Sequence, residues 1–148
     1  MWKSKRNVQI TYALLPPSST SRPAAETDRL DDVVSYQPLD SDKTSTVHGV
    51  DKMSGSTHDA WDWRGKGWLF IAGSHWEVLG WGEEDGGNAW VVTYFAKTLF
   101  TPAGIDFYSR SGQGLSESTI RGVKEGLAAI EEIKTLAGEV FEVKVDAQ

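Results

Sequence analysis

A chain of 148 residues with no cysteine and a formal net charge of −6 has the length of a single domain. The lack of cysteine excludes disulfides, cysteine-ligated zinc, iron–sulfur clusters and thiol nucleophiles, and the acidic balance argues against a nucleic-acid-binding surface, because phosphate binding needs a positive field. No apolar run approaches the roughly 18 residues of a membrane-spanning helix and no apolar leader is visible. These features predict a soluble, cytoplasmic protein whose residues 1–148 form one domain.

The first half of the chain alternates polar and apolar residues, which is the pattern of half-buried β-strands. In these strands Tyr12 and Tyr36 fall on the apolar faces. A polar stretch rich in Ser and Pro at Ser18–Asp28 is predicted to be a surface loop, either a disordered insertion or a lid. The strands predicted in this half are Asn7–Leu15, Asp32–Pro38 and Thr44–Val50.

The stretch from Ala60 to Arg110 contains six of the seven tryptophans. Aromatic and β-branched residues favour strands, and the pair Gly86-Gly87 is typical of a hairpin turn, because glycine tolerates positive φ. The strands predicted in this stretch are Ala60–Arg64, Trp68–Gly73, His75–Trp81, Ala89–Thr98 and Ile105–Arg110.

The C-terminal part predicts a helix followed by a strand. Ser116 is a predicted N-cap, and a stripe of apolar residues at three- and four-residue spacing, which includes Val123 and Ile130, predicts one amphipathic helix over Ser116–Ala137. Glu139–Val145 alternates and is predicted to be a final short strand. The fold class is therefore mainly β, an antiparallel up-and-down β-barrel with one C-terminal amphipathic α-helix and a final short strand.

Two segments, GGNAWVVTYFAKTL and GIDFYSRSGQGLSESTIRGVKEGLAAI, resemble the closing strands and helix of lipocalins, which belong to the calycins. Their pattern is most similar to that of the lipocalin domain of violaxanthin de-epoxidases, in which a strand that ends in aromatic–Thr/Ser–Arg precedes a leucine-containing turn and an acidic helix. The matching residues here are Tyr108-Ser109-Arg110 and Leu115-Ser116-Glu117. The resemblance implies a lipocalin-like barrel in which Arg110 acts as a structural lid. The Gly-x-Trp motif of the first lipocalin strand is incomplete at Trp2, and the de-epoxidase catalytic region has no counterpart, so that activity does not transfer.

Aromatic and apolar residues of the predicted strands are candidates for the wall of a small-molecule site, because such sites are mostly apolar with a few polar groups. The interior of a closed eight-stranded barrel holds either side chains or one small ligand, so the same residues could instead fill the core. The candidate ligand-binding residues are Tyr12, Tyr36, Trp63, Trp76, Val78, Trp90, Val92, Tyr94 and Phe107.

Four titratable residues are candidates for acid–base catalysis. His75 and Glu77 share one face of a predicted strand, and a histidine near a carboxylate can transfer protons. Asp62 and Tyr94 occupy strand positions as well. A carboxyl group that pointed into an apolar barrel would have a raised pKa, whereas the alternative is a solvated face. No metal-ligand spacing, phosphate loop or nucleophile motif is found, so no metal and no cofactor are expected.

Two functions from different classes remain open. One is binding of a small hydrophobic molecule in a Trp-lined barrel cavity. The alternative is a cofactor-free isomerase, cyclase or related lyase that acts on a hydrophobic substrate in the same barrel, where holding the substrate in a reactive shape lowers the barrier. A carbohydrate-binding module with exposed tryptophans is a third alternative. A homodimer is compatible with each of these functions.

Overall fold

The computed structural model of the protein describes residues 2–16, 28–99 and 101–146. Within these ranges the chain is mainly β, and no helix there is long and apolar enough to cross a membrane. The described elements are β1 (Lys5–Leu14), β2 (Arg29–Pro38), β3 (Ser45–Met53), β4 (Ala60–Gly65), β5 (Gly73–Glu83), β6 (Ala89–Phe95), β7 (Gly104–Ser109), α1 (Glu117–Ala128) and α2 (Lys134–Gly138).

The strands are hydrogen-bonded in chain order, from β1 to β7, and the pairs β1–β2, β2–β3, β3–β4 and β6–β7 are antiparallel. The predicted up-and-down order is thus confirmed, because short turns join neighbouring antiparallel strands. The hairpin at Gly86-Gly87 is also confirmed, since both residues have positive φ, 98° and 87°. The predicted loop Ser18–Asp28 lies outside the described residues, apart from Asp28.

The chain divides into two compact units. The N-terminal unit comprises Met1–Trp76 together with Val143–Gln148 and contains β1 to β4 and the beginning of β5. The C-terminal unit comprises Glu77–Glu142 and contains the rest of β5, β6, β7 and both helices. The single domain expected from chain length stays a prediction.

The core of the C-terminal unit lies between the helices and the strands β6 and β7. Ser116 caps α1 as predicted, because its side chain accepts a hydrogen bond from the Thr119 backbone N–H at 3.2 Å. The apolar face of α1 then packs against the sheet. The buried members of this core are Val92, Ile105, Leu127 and Ala137, and the half-buried residues around them include Leu79, Trp90, Phe107, Val123, Ile133 and Leu136.

The prediction of one continuous helix is wrong, because the chain turns between α1 and α2. The Ala129 backbone N–H bonds to the carbonyls of Gly126 and Leu127, and such tightening from α-helical to i→i+3 bonding is typical of a helix end. The turn leaves Ile130 42% exposed, although the apolar stripe placed it in the core. Ile133 contacts the core instead.

The predicted final strand is not formed. After α2 the chain makes a single parallel bridge between Lys144 and Arg6 of β1, where the Asn7 backbone N–H donates to the Lys144 carbonyl at 2.9 Å. Asn7 has a φ of 53°, a left-handed conformation that interrupts regular pairing and that asparagine tolerates better than most residues. The carboxylate of Asp146 then forms an ion pair with Arg6, which holds the chain end by side chains instead of a ladder.

The sheet order also differs from the closed barrel that the sequence predicts. In the described part of the chain β1 and β7 are the edge strands of that order. Arg6 of β1 forms an isolated parallel bridge with Lys144. A closed barrel has no edge strands, and this order has two.

The predicted strand Trp68–Gly73 is wrong as well. Gly67–Leu69 forms a short 3₁₀ helix, and Gly67 has a φ of 60°, a left-handed conformation that is typical of turns. The turn leaves the Trp68 side chain 84% exposed and that of Phe70 66% exposed. High β propensity is overridden here because these residues have no sheet face to pack against.

Candidate functional site

One face of the N-terminal unit combines aromatic rings with two carboxyl groups. Residues that stand opposite each other in neighbouring strands share a face, and the register places Asp32 opposite both Tyr12 and Gly49 and Asp51 opposite Trp63. Trp61 lies two residues before Trp63 on the same strand, and its ring stacks on that of Trp76. We call Tyr12, Trp61, Trp63 and Trp76 the aromatic face, and Asp32 and Asp51 the acid pair.

Three rings of the aromatic face stack in a row. The ring centroids of Trp61 and Trp76 are 5.8 Å apart with an interplanar angle of 15°, and those of Tyr12 and Trp76 are 6.0 Å apart at 29°. Such offset arrangements are the favoured geometry of aromatic pairs. Trp61 is 5% exposed and Tyr12 is 43% exposed. The row therefore runs from the core at Trp61 to an accessible end at Tyr12.

Each member of the acid pair accepts one hydrogen bond from an indole. Trp76 Nε1 donates to Asp51 Oδ1 at 2.7 Å, and the Trp63 side chain hydrogen-bonds Asp32. Asp51 has no exposed surface and Asp32 is 7% exposed. Within the described ranges, the second oxygen of each carboxyl, Asp32 Oδ1 and Asp51 Oδ2, is buried without a hydrogen-bond partner. Most buried polar atoms in proteins do have a partner, so these two oxygens need an explanation.

Gly49 makes the contact between Trp63 and Asp32 possible. A Cβ atom at this position would lie 2.6 Å from Trp63 Cζ2 and closer still to Nε1, so the indole lies directly over the glycine. Gly49 belongs to β3, between the strand of Asp32 and the strand of Trp63. Because glycine has no side chain, the indole of β4 crosses β3 and reaches the carboxyl group of β2.

Burial decides the electrostatics of the acid pair. It raises the pKa of Asp51 to about 6, and the hydrogen bond from Trp76 opposes this rise only in part. Burial, followed by the negative charges of Asp51 and Asp31, raises the pKa of Asp32 to about 7. Both carboxyl groups therefore titrate much closer to neutral pH than a solvent-exposed aspartate does.

Three of the predicted ligand-binding residues, Tyr12, Trp63 and Trp76, come together on the aromatic face. Tyr36 shares a face of β2 with Asp32 by strand alternation. Its ring contacts Trp2 at a centroid distance of 5.6 Å, and Lys5 Nζ lies 5.1 Å from its centroid. Tyr36 is thus engaged by the N-terminal segment.

The other predicted ligand-binding residues belong to the C-terminal unit. Val92 is 1% exposed in the core beneath the helices, and Trp90 and Phe107 pack around it. Tyr94 is half-buried on β6 opposite Ile105, and Val78 is half-buried in β5. Arg110 is exposed directly after β7, where its backbone N–H donates to the Ala89 carbonyl at 2.9 Å. The lid role of Arg110 stays a prediction.

Two of the predicted catalytic residues contact each other. His75 Nδ1 lies 2.8 Å from Asp62 Oδ1, and their side chains are 34% and 61% exposed. The hydrogen bond from His75 is the main cause that lowers the pKa of Asp62, which is the opposite of the raised pKa expected for a catalytic acid. Glu77, the third candidate, is exposed in the C-terminal unit. The geometry around Asp62 favours the solvated alternative.

Asp32 and Asp51 are the site residues that the sequence analysis missed. Asp32 lies two residues before Val34 in a predicted strand, and Asp51 lies two residues after Gly49, one position beyond the end predicted for its strand. Extending the alternation to these carboxyls would have placed them on the apolar face. A carboxyl group on such a face is the signal that points to a functional site.

Replacing Trp76 by Phe is expected to lower the free energy of unfolding by about 2 kcal/mol, because it leaves Asp51 with both oxygens unpartnered. The loss should be larger at about pH 8 than at about pH 5, since the ionised carboxylate needs the indole N–H more than the acid does. Urea unfolding followed by circular dichroism measures it. Trp81→Phe, at a side chain that is 79% exposed, is the control and should change stability by less than about 0.5 kcal/mol. Equal losses in both variants would contradict the role of the indole.

The donor set fits organic ligands better than a metal ion. Across the described residues no group of three or more His, Cys, Asp or Glu side chains could hold a metal, and a structural metal commonly has at least three protein ligands. The indole N–H groups that occupy two of the four carboxyl oxygens are donors and cannot coordinate a cation.

Comparison with models of known families, with characterised proteins and with solved structures finds no match. The fold described above is consistent with the lipocalin-like prediction at the level of an antiparallel up-and-down sheet, and the family itself stays a prediction.

Proposed function

We propose that the N-terminal unit binds a small hydrophobic molecule on the aromatic face. The observation that carries this proposal is the presence of two buried, unpartnered carboxyl oxygens, Asp32 Oδ1 and Asp51 Oδ2, on the same face as the indole and phenol rings. Small-molecule sites combine apolar and aromatic walls with a few convergent polar groups. A ligand whose polar group reaches the acid pair would supply the missing hydrogen bonds.

Energetics support a functional origin of the acid pair. A buried polar atom without a partner costs about 1–3 kcal/mol, and more when it is charged. Apolar residues at both positions would avoid that cost, yet the chain places carboxyls at Asp32 and Asp51 and fixes each with an indole N–H. Buried polar atoms without hydrogen-bond partners break a general rule of protein folding, and natural proteins break such rules mainly at functional sites.

Access to the acid pair is expected at Tyr12. Its ring is the exposed end of the aromatic row, it stands opposite Asp32, and it belongs to β1, which is an edge strand of the sheet order. A side chain on an edge strand has a neighbouring strand on one side only. A ligand that displaces the Tyr12 ring from Trp76 would approach the acid pair from this edge.

The test is a titration of the protein with fatty acids, retinoids, terpenoids and polyketides, followed by tryptophan fluorescence. A terpenoid or other apolar compound is expected to quench the indole signal, and Tyr12→Ala is expected to weaken that binding by about tenfold, since it removes one wall. Phe141→Ala is the matched control, because Phe141 is 41% exposed but lies in the C-terminal unit. If no apolar compound quenches the signal, or if both variants bind alike, the proposal is wrong.

A second candidate function is that of a cofactor-free isomerase, cyclase or related lyase acting on such a molecule. The observation that favours it is the raised pKa of Asp32, about 7, beside that of Asp51, about 6. Paired carboxyls with different pKa values can act as acid and base at neutral pH. In this function Asp32 and Asp51 replace His75 and Glu77 as the acid–base candidates, and conversion of a bound compound would distinguish the enzyme from a binding protein.

A further inference from the structure

We propose that the ligand of the aromatic face is an organic cation, an apolar body that carries a protonated amine, bound between the two unpartnered oxygens of the acid pair and the indole rings beside them. This inference rests on the proposed function and names the chemical class of its ligand. The relevant atoms are Asp32 Oδ1 and Asp51 Oδ2, both of which are acceptors when the carboxyls are ionised.

The charges around the acid pair favour a positively charged ligand. A buried carboxyl group ionises more readily when a positive charge lies beside it, and among the described residues Asp32 Oδ1 and Asp51 Oδ2 have no hydrogen-bond partner. Lys66 Nζ donates a hydrogen bond to Asp31 Oδ1 at 2.5 Å. Because successive side chains of a strand point to opposite faces, Asp31 lies on the other face of β2 from Asp32. The whole chain carries a formal net charge of −6. A ligand that brings a positively charged donor would supply both the missing hydrogen bonds and a charge that favours the ionised carboxyls.

The aromatic surroundings make an ammonium group a better partner than a metal ion. Indole faces attract cations, tryptophan most strongly among the aromatic residues. Trp61 and Tyr12 both stack on Trp76, so a cation would meet a face of Trp76 by displacing the Tyr12 ring. A metal ion would need a third ligand, and no such cluster exists in the described ranges. An ammonium group has several N–H donors, so it can meet both free oxygens while its carbon body packs against the rings.

Binding of such a cation is coupled to the loss of a proton from the acid pair. The groups that face the acid pair are Tyr12 from β1, Trp63 from β4 and Trp76 from β5, and Asp31 acts on Asp32 from the neighbouring position. A cation next to the pair favours the ionised carboxyls. Binding near neutral pH should therefore release a proton from the pair to the buffer, and the affinity for the amine should rise with pH until both carboxyls are ionised.

The experiment compares adamantylamine with adamantanol, which have the same apolar body, and repeats the comparison with hexylamine and hexanol. Isothermal titration calorimetry gives the affinities, and the indole N–H signals of Trp63 and Trp76 in NMR spectra locate the site. At about pH 8 the amine is expected to bind at least about tenfold more tightly than the alcohol, through cation–π and charge-assisted contacts. This advantage should shrink below about pH 6, where the pair is protonated.

Two variants separate the possible results. The double substitution Asp32→Asn and Asp51→Asn should remove the advantage of the amine while the alcohol still binds, which also shows that the variant is folded. Asp62→Asn removes an exposed carboxylate outside the pair and should keep the advantage. If the alcohol binds as tightly as the amine, or if the advantage survives the double substitution, the cation inference is wrong and the proposed function stands. If neither amine binds, the cation inference is wrong, and the titration with fatty acids, retinoids, terpenoids and polyketides decides the proposed function.

Discussion

The double variant Asp32→Asn, Asp51→Asn is expected to lose most of the pH dependence of stability that the unsubstituted protein shows between about pH 4 and about pH 8. Burial raises the pKa of Asp32 to about 7 and that of Asp51 to about 6, from 3.8. The folded protein therefore binds more protons than the unfolded chain in this interval. Its free energy of unfolding should fall as pH rises from about 4 and level off above about 7.

The expected fall is large. One pKa unit corresponds to about 1.4 kcal/mol, so the shift of Asp51 by itself accounts for about 3 kcal/mol. Asparagine keeps the size of the side chain and an oxygen that can accept from the indole, but it cannot ionise. At about pH 8 the double variant should thus be more stable than the unsubstituted protein by several kcal/mol, and at about pH 4 the two should differ little.

Urea unfolding at a series of pH values measures both profiles. Asp62→Asn is the control, because hydrogen bonding to His75 lowers the pKa of Asp62. A lowered pKa gives stability that is lost as pH falls, the opposite direction, so this substitution should leave the fall at higher pH in place. A flat profile for the unsubstituted protein would show that the acid pair is not buried as described.

Gly49→Ala is expected to lower the free energy of unfolding by about 3 kcal/mol. The added Cβ would lie 2.6 Å from Trp63 Cζ2 and closer to other indole atoms, so the ring must move, and overpacking of this kind typically costs about 1–3 kcal/mol. The displaced indole would also release Asp32, which already has one unpartnered oxygen, and a second would add about 1–3 kcal/mol.

A double-mutant cycle tests the cause of this loss. In a Trp63→Leu background the clash with the indole is absent, so Gly49→Ala should cost less than about 1 kcal/mol there. Gly80→Ala is the control in a second strand, since a Cβ at Gly80 meets nothing within 4 Å. If Gly49→Ala costs as much without the indole as with it, the effect would come from the backbone of β3 instead of from the crossing of Trp63.

The two predictions bear on function as well as on stability. A pair of carboxyls that lowers stability at neutral pH is retained where a ligand or a reaction uses it, since activity and stability often oppose each other at such sites. If the double variant is more stable but no longer discriminates an amine from an alcohol, stability and binding would be separated at the same two residues. That result would identify Asp32 and Asp51 as the centre of the site.

The sequence by itself determined most of the local structure. Alternation of apolar residues placed β4 and β7 to within one residue, and Ser116 marked the beginning of α1, because strand faces and helix caps depend on residues close in the chain. The same local signals misplaced Trp68–Gly73, which has strand propensity but no strand partner, and merged α1 with α2, where a few i→i+3 bonds end the helix. Propensity is overridden wherever packing is missing.

Only the tertiary structure decided where the chemistry lies. Alternation can place a carboxyl on the apolar face of its strand, but it does not tell which side chains of other strands contact it. Asp51 is buried because Trp76 comes from a strand 25 positions further along the chain, and Asp32 is contacted by Trp63 because Gly49 leaves the space between them open. His75, predicted to share a strand face with Glu77, contacts Asp62 of another strand. These contacts depend on register between strands that are distant in sequence, and that register is set by the folded sheet as a whole.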